Sequence, residues 1–472
     1  MRRICTCSRG INFSNRTSVV HNYMIGEDIC SHCGGIVPSN TDDITYGDSY
    51  KSFYRKAKSC SINGNHEAAI GFYREALRLA LHDKRKCEML SAIAREYEEI
   101  GDYISAEDYW MRCCDVESYG MIASEYTYTA GKGDFLYRRG RYSEAIESYN
   151  EALKSLEGLN DRDINLTYYA RVTHFIIDSY DKFGDDNHKE KYHNELKHAV
   201  NRFIRSGRAD DKTSARYISE TAWNIYLNDA IIDEALILMD CAIELHPDCP
   251  AEYYNRKAII LKYAFRYEEA LKYFDIALAK DKSNETFLKN RMECEAECIK
   301  SKLEIEVLFK RIEPRHLDMI NRALKILPDG SDNVPYLHVK AGILGQLGDP
   351  VKAWICRYIA AERYDEVEKI DKQLKKLKSG GTYINITGIH YYQGFAPFKE
   401  GTIVDLIRES ENPHDRDAIR VEINGETVGY VANSKYTLIK EVKSATEIKN
   451  AQSKQAEVQF ILFNEWVIAK LI

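Results

Sequence analysis

The stretch Pro250–Asp281, PAEYYNRKAIILKYAFRYEEALKYFDIALAKD, constrains the fold of this chain more than any other. Its apolar residues recur at spacings of three and four, the period of a helix and not of a strand. A short turn at Ala264–Arg266 divides it into two amphipathic helices. Ala258, Ala270 and Ala277 stand where the two helices must approach closely, and Tyr254, Leu261, Tyr267 and Phe274 fill the space between. One such hairpin cannot bury its own apolar face, so it requires neighbours of the same kind.

Those neighbours recur along the chain. Gly64-Asn65-His66-Glu67-Ala68-Ala69 leads to Tyr73, Ala76 and Leu77; Gly101-Asp102-Tyr103 leads to Ala106, Trp110 and Cys113; Gly140-Arg141-Tyr142 leads to Ala145, Tyr149, Ala152 and Leu153. A weaker copy surrounds Phe183-Gly184. Ala235, Met239, Ala242 and Pro247, then Ala323 and Pro328, and last Gly348-Asp349 with Ala353 and Ala360 continue the series. Gly64 to Gly101 is 37 residues, Gly101 to Gly140 is 39, and Ala235 to Ala270 is 35. The pattern resembles a tetratricopeptide-repeat (TPR) array, whose period is about 34 residues with small residues at the helix crossings. The resemblance covers about 47–377 and implies an α-solenoid of helical hairpins whose concave face holds a protein or peptide partner. Tyr126, Tyr128, Tyr137, Tyr168, Tyr169, Tyr253 and Tyr254 are candidates for that face, tyrosine being a good interface residue. The alternative is that they pack between helices. Cys294 and Cys298, four apart, share a helix face, and Cys113, Cys114 and Cys356 read as small packing residues.

The N-terminal residues 1–40 carry Cys5 and Cys7, then Cys30 and Cys33 followed by two glycines. Two close pairs within 29 residues suit a tetrahedral structural Zn2+ site, and a segment this small needs such a staple. A redox dithiol or unused reduced thiols are the other readings. The segment resembles small zinc ribbons in general.

After the basic run Lys372–Lys378 and Ser379-Gly380-Gly381 the period changes to alternation. Strands are expected at Tyr383–Ile389, Thr402–Ile407, Ala418–Ile423 and Glu426–Val431, the last two joined by the two-residue turn Asn424-Gly425. Ser434–Val442 has helical spacing, and Glu457–Phe463 with Glu465–Leu471 forms a closing hairpin. Short strands in this number indicate a small β-barrel over 382–472. Gly388-Ile389-His390-Tyr391-Tyr392-Gln393-Gly394, then Gly401, then Leu406 with Arg408-Glu409-Ser410-Glu411-Asn412-Pro413-His414-Asp415-Arg416-Asp417-Ala418, then Gly429-Tyr430-Val431, resembles a HIRAN domain. The resemblance implies an OB-like barrel that captures the 3′-hydroxyl end of single-stranded DNA. It implies that Tyr391 and Tyr392 stack on the terminal base and that Asp415 accepts the hydrogen bond of the 3′-hydroxyl; His390, Asn412 and His414 complete the candidate site. His390 stands where DNA-binding members have arginine, and His414 where they have tyrosine. The segment has ten Lys and Arg against twelve Asp and Glu, so phosphate neutralisation is not its strength. On a purely structural reading, Asn412, Pro413 and Asp415 form an Asx turn and the two tyrosines brace the barrel.

At 472 residues the chain is long enough for about three domains. With 29% charged residues and a net charge of −7 it reads as an ordinary soluble protein with no general affinity for nucleic acid or anionic lipid. Thirteen scattered cysteines, no apolar leader after Met1 and no run of about 18 apolar residues point to the cytoplasm and away from membranes. No phosphate-cradling glycine loop and no nucleophile–base pairing stands out, so no enzymatic activity is expected. The sequence thus reads as an adaptor joining a protein partner to DNA in processing, repair or defence; a scaffold whose barrel does not bind DNA is the alternative. No feature specifies an oligomeric state.

Overall fold

In the computed structural model the described residues are 3–4, 12–13, 19–22, 27–30, 49–120, 128–158, 161–207, 209–378, 380–434 and 436–472. Two short antiparallel pairs come first, β1 (Arg3–Ile4) with β2 (Asn12–Phe13) and β3 (Val19–Asn22) with β4 (Glu27–Cys30). Helices follow as α1 (Ser49–Ile62), α2 (His66–Leu79), α3 (Asp83–Glu99), α4 (Tyr103–Gly120), α5 (Tyr128–Arg138), α6 (Tyr142–Glu157), α7 (Leu166–Phe183), α8 (Lys189–Arg205), α9 (Asp211–Asp229) and α10 (Asp233–Leu245). The series continues with α11 (Ala251–Tyr263), α12 (Tyr267–Lys280), α13 (Glu285–Leu308), α14 (Pro314–Ile326), α15 (Val334–Gln346), α16 (Pro350–Ala360) and α17 (Tyr364–Lys378). The chain divides into two compact units, Met1–Arg256 and Lys257–Ile472.

In the first unit each helix packs on the next: α1 on α2, α3 on α4, α5 on α6 and α7 on α8. The small residues singled out above lie at these crossings, with Ala69, Ala76, Ala106, Ala145 and Ala152 wholly buried. Gly133, inside α5, shows why. A Cβ there would lie 2.6 Å from the ring of Tyr149, so only glycine lets α6 come this close. The hairpin turns share one construction. The chain turns through a positive φ and the next N–H bonds back five residues, as in Asn65 N to Cys60 O (2.9 Å), Asp102 N to Tyr97 O (3.0 Å) and Arg141 N to Leu136 O (3.0 Å). Glycine supplies the left-handed residue in these three turns. In the second unit Phe265, Lys310 and Glu362 take the same conformation, with Arg266, Arg311 and Arg363 closing the turns in the same way.

Most of the candidate interface tyrosines serve packing. Tyr128, Tyr168, Tyr169 and Tyr253 are buried, Tyr137 donates its hydroxyl to Asp178, and Tyr126 lies outside the described residues. Cys294 and Cys298 are buried on α13, and burial pushes the Cys294 thiol up to about 12. Cys113 and Cys356 are buried and Cys114 half-buried.

The second unit ends in a closed barrel of β5 (Tyr383–Thr387), β6 (Ile403–Arg408), β7 (Ile419–Ile423), β8 (Glu426–Val431), β9 (Gln455–Leu462) and β10 (Trp466–Leu471), in the order β10-β5-β8-β7-β6-β9. Ile384, Ile386, Val404, Val421, Val428, Val458, Val467 and Ala469 point inward and form its core. Asn424 (φ 54°) and Gly425 (φ 81°) make the expected two-residue turn. Every residue of β5 from Tyr383 to Ile386 is buried, because its outer side is covered too. Part of that cover is the 436–443 segment, and here the helix expected at Ser434–Val442 does not form. Asn385, fully buried, donates its amide to Thr437 O (3.0 Å) and accepts from Ile439 N (3.3 Å), while Lys443 N bonds to Tyr383 O (2.8 Å). These backbone groups are thereby taken out of any helix, and only α18 (Ala445–Ile448) is helical. Ile439 and Val442 keep their apolar role. They join Tyr383, Phe463, Trp466 and Ile468 in a second core with Val351 and Tyr358 of α16 and Ile370 and Leu377 of α17.

Candidate nucleic-acid interface

The candidate residues sit on two segments flanking the outward face of β7 and β8. The first leaves β5 through Gly388, whose φ of 72° turns the chain into a single 3-10 turn, Ile389–Tyr391. Ile389 anchors that turn in the barrel core, and His390, Tyr391 and Tyr392 are thereby held at the surface. Tyr391 is 89% exposed, so it braces nothing in the barrel, contrary to the purely structural reading. Tyr392 is 42% exposed and its ring lies 6.4 Å from that of Tyr430 on β8. His390 packs edge-on against Phe395 at 5.4 Å.

The second segment is the loop between β6 and β7. The Asn412 side-chain oxygen accepts from His414 N (3.0 Å) and Asp415 N (3.2 Å), which is an Asx turn, as the local sequence implies. Asp415 is half-buried. One carboxylate oxygen accepts from Asp417 N (2.9 Å) and the other from the Asn433 amide (2.8 Å). A carboxylate offers about four acceptor positions, so both oxygens retain capacity for a further donor. His414 is exposed.

Glu409, a residue given no role from sequence, joins the two segments. Its Oε2 accepts from Asn412 Nδ2 (2.9 Å) and from the Tyr430 hydroxyl (3.2 Å), and its Oε1 pairs with Arg420 (2.5 Å). The Asn412 bond leads in holding the Glu409 carboxyl below the usual range, with Tyr430 and Arg420 adding to it. Burial, then the bonds to Tyr392 and Glu409, push Tyr430 up to about 12. Tyr392, Tyr430, Glu409 and Asn412 therefore form one connected surface. Among the described residues no hydrogen bond or ring contact joins His390 or Tyr391 to the Asn412–Asp415 loop. Glu409 and Asn412 are three apart in the quoted motif, but Tyr430 and Arg420 reach Glu409 only through the register of β7 with β8, which pairs Arg420 with Tyr430.

Gly429 has a different reason for its place. A Cβ on it would lie 2.9 Å from both Ile386 Cγ2 and Thr387 O, so glycine is what lets β8 close against β5. Asp417, the other acid of the loop, is tied to Lys449 (3.0 Å) and Thr446 (2.9 Å), and Lys449 followed by Thr446 holds it below the usual carboxylate range.

Of the candidate zinc ligands, Cys5, Cys7 and Cys33 lie outside the described residues; Cys30 is the last residue of β4, opposite Val19, with its side chain outside them. Among the described residues no group of three or more His, Cys, Asp or Glu is placed to hold a metal ion. Among them, too, no helix is long and apolar enough to cross a membrane.

Residues 379–443 match the family model described as the HIRAN domain, and residues 50–83 that described as a tetratricopeptide repeat. Of the three resemblances drawn from the sequence, those to a HIRAN domain and to tetratricopeptide repeats are thus matched, each over part of the chain, and that to small zinc ribbons has no support here. No curated protein matches the chain. Similar solved structures include the C-terminal part of a TPR repeat-containing protein from Cytophaga hutchinsonii (12% identity, 52% of this chain and 88% of that one, TM-score 0.27). A tetratricopeptide repeat protein from Parabacteroides merdae has 10% identity over 63% of this chain and 100% of that one, with a TM-score of 0.28. PilF of Pseudomonas aeruginosa has 16% identity over 53% of this chain and 97% of that one, with a TM-score of 0.26. Scores this low give these likenesses no weight.

Proposed function

We propose that the protein is a non-enzymatic adaptor whose helical repeats hold a protein partner and whose barrel engages DNA at single-stranded 3′ ends, in DNA processing, repair or defence. The observation that carries the DNA part is Tyr391. A tyrosine 89% exposed, held on a rigid turn within the HIRAN-matched segment, is a ready stacking platform. The 382–472 segment has ten basic against twelve acidic residues, which suits recognition of a strand's end over its phosphates. A carboxylate near a phosphodiester is repulsive, so Asp415 is useful where the strand ends in a neutral hydroxyl.

The test is fluorescence anisotropy of the full chain with a labelled single-stranded oligonucleotide at low salt. Tyr391→Ala, whose side chain supports nothing else, is expected to weaken binding by about 1–3 kcal/mol, the usual contribution of one stacked base. Wild-type affinity in that variant would remove Tyr391 from the site. The second reading, a protein scaffold whose barrel does not bind DNA, draws on the twelve acidic against ten basic residues of 382–472. No binding at low salt would favour it.

The cysteine pairs support a further part of this reading, a structural Zn2+ held by Cys5, Cys7, Cys30 and Cys33. About one equivalent of zinc in the purified protein, lost on Cys30→Ser with Cys33→Ser, is the expected result. Full retention of metal by that variant would dismiss these ligands.

A further inference from the structure

The basic run Lys372–Lys378 forms the last two turns of α17, beyond Asp371, the last acid of that helix. Ile370 and Leu377 bury one face of this end in the core shared with Ile439, Val442, Trp466 and Ile468 on the outside of the barrel. That packing turns Lys372, Lys375 and Lys376 to solvent, and Lys378 is exposed beside them. Lys372 meets Glu368 at 2.7 Å, but both side chains are exposed and such a pair is weak. Among the described residues Lys375 and Lys378 have no carboxylate partner. One cation in the last turn is enough to complement the helix dipole; four make a positive patch.

The 436–443 segment leads from the candidate end site to that patch. It begins beside Asn433, whose amide holds Asp415 (2.8 Å). It passes Asn385 at Thr437 and Ile439 and reaches Tyr383 at Lys443, where α17 delivers the chain to β5. Tyr436 opens the segment and is 59% exposed. Ser434 fixes its turn, accepting from Tyr436 N at the hydroxyl (3.2 Å) and from Thr437 N and Leu438 N at the carbonyl (3.0 and 2.8 Å). Lys440 and Lys443 are committed to Asp349 and Glu447, and Glu441 is the only acid of the segment. Tyr391 and α17 stand at opposite ends of β5, about 17 Å of strand apart, a span that a few nucleotides cover.

We propose that a single strand held by its 3′ end at Tyr391 runs back over the 436–443 segment, stacks a second base on Tyr436 and lays its phosphates along Lys372, Lys375, Lys376 and Lys378 of α17. The proposal rests on the reading that the barrel binds a single-stranded 3′ end, and it names where the rest of the strand goes. It also accounts for a barrel with more acids than bases: the end is read on the barrel, and the phosphates are neutralised by the last helix of the array.

The experiment is fluorescence anisotropy of the full chain with labelled single strands of about 4 and about 16 nucleotides, the limits of the site size of one OB-type fold, each with a free 3′-hydroxyl. The longer strand is expected to bind more tightly. Lys372→Gln, Lys375→Gln and Lys376→Gln in one chain should weaken the longer strand more than about tenfold at low salt. They should also lower the slope of log Kd against log[salt] by about 2, at about 0.7 per phosphate. The short strand should bind that variant as it binds the wild type. Glutamine matches lysine in helix propensity, so α17 is kept, and circular dichroism checks it. Tyr436→Ala should weaken the longer strand roughly tenfold, and Tyr436→Phe, which keeps the ring, should not. Lys282→Gln, Lys289→Gln and Lys325→Gln, exposed positions between the end of α12 and α14, make the same change of net charge and should alter neither strand. Wild-type affinity and salt slope in the α17 variant, an equal loss for both strands, or an equal loss in the charge-matched variant would overturn this path and leave recognition of the 3′ end standing. Wild-type affinity in Tyr436→Ala would remove that ring from the path. Failure of the wild-type chain to bind either strand would overturn the end-binding reading and this path with it.

Discussion

Two residues carry consequences that their neighbours do not. Gly429 admits β8 against β5, and an alanine there meets Ile386 and Thr387 at 2.9 Å. Gly429→Ala is expected to cost about 1–3 kcal/mol, the usual range for overpacking, in a denaturant titration. The sequence offered Gly429 only as part of a motif; the contact that explains it spans more than forty residues. Glu234 was not legible at all. It is 1% exposed on α10, with His174 of α7 and His193 of α8 each 3.2 Å from one of its oxygens. Burial opposes its charge, and the two imidazoles overcome that, holding it down to about 2 from 4.5. Burial likewise opposes protonation of His174, and Glu234 overcomes it, raising the imidazole above its ordinary 6.5; Asp178 and Asp233 add to the same effect. A lowered carboxylate contributes stability above about pH 4.5 and loses it as pH falls towards 2. A raised imidazole contributes below pH 6.5 and loses its contribution as pH rises through the folded value. Both are present together between about pH 4.5 and 6.5, so Glu234→Gln should lower the melting temperature more at pH 6 than at pH 8. An equal loss at both values would argue against the coupling.

At the scale of elements, the helical hairpins were legible because their signals are local. A three-and-four apolar period, small residues at the crossings and, in the first unit's turns at Gly64, Gly101 and Gly140, a glycine are all visible within one repeat. Gly140→Ala, at a φ of 72°, should cost about 1 kcal/mol, and Glu362→Gly, relieving a non-glycine residue at 57°, should return up to about the same amount. Both are read by denaturant titration. The Ser434–Val442 segment failed the same reasoning because its helical spacing is set by packing of Ile439 and Val442, while Asn385, about fifty residues away, takes its backbone groups. The start of the barrel is also more than a change of period. Trp354 of α16 stacks on Phe463 at 5.8 Å, Tyr358 meets the same ring at 5.4 Å, and Lys440 pairs with Asp349 (3.0 Å), the residue that caps α16. A fragment beginning at Thr382 would bare Phe463, Trp466 and Ile468. It should melt below one beginning at Gly348, and equal melting temperatures would show that α16 and α17 add nothing to the barrel.

For the molecule as a whole, the helical repeats and the barrel present different chemistries under one acidic net charge. The repeats offer a cavity lined by arginines and carboxylates together, and the barrel offers an exposed tyrosine and a half-buried carboxylate. Of the candidate DNA residues, His390, Tyr391, Tyr392 and His414 are exposed and Asn412 and Asp415 half-buried, and the connection of Tyr392 with Asn412 through Tyr430 and Glu409 needed the fold. Asp415 also braces its own loop through Asp417 and Asn433, so replacing it would disturb structure and binding together. Changing the DNA instead leaves the protein intact. The decisive measurement is therefore the affinity of the full chain for two otherwise identical single strands, one ending in a 3′-hydroxyl and one in a 3′-phosphate. Tighter binding of the hydroxyl end is expected if Asp415 receives that hydroxyl; equal affinity, or preference for the phosphate, would contradict recognition of the 3′ end.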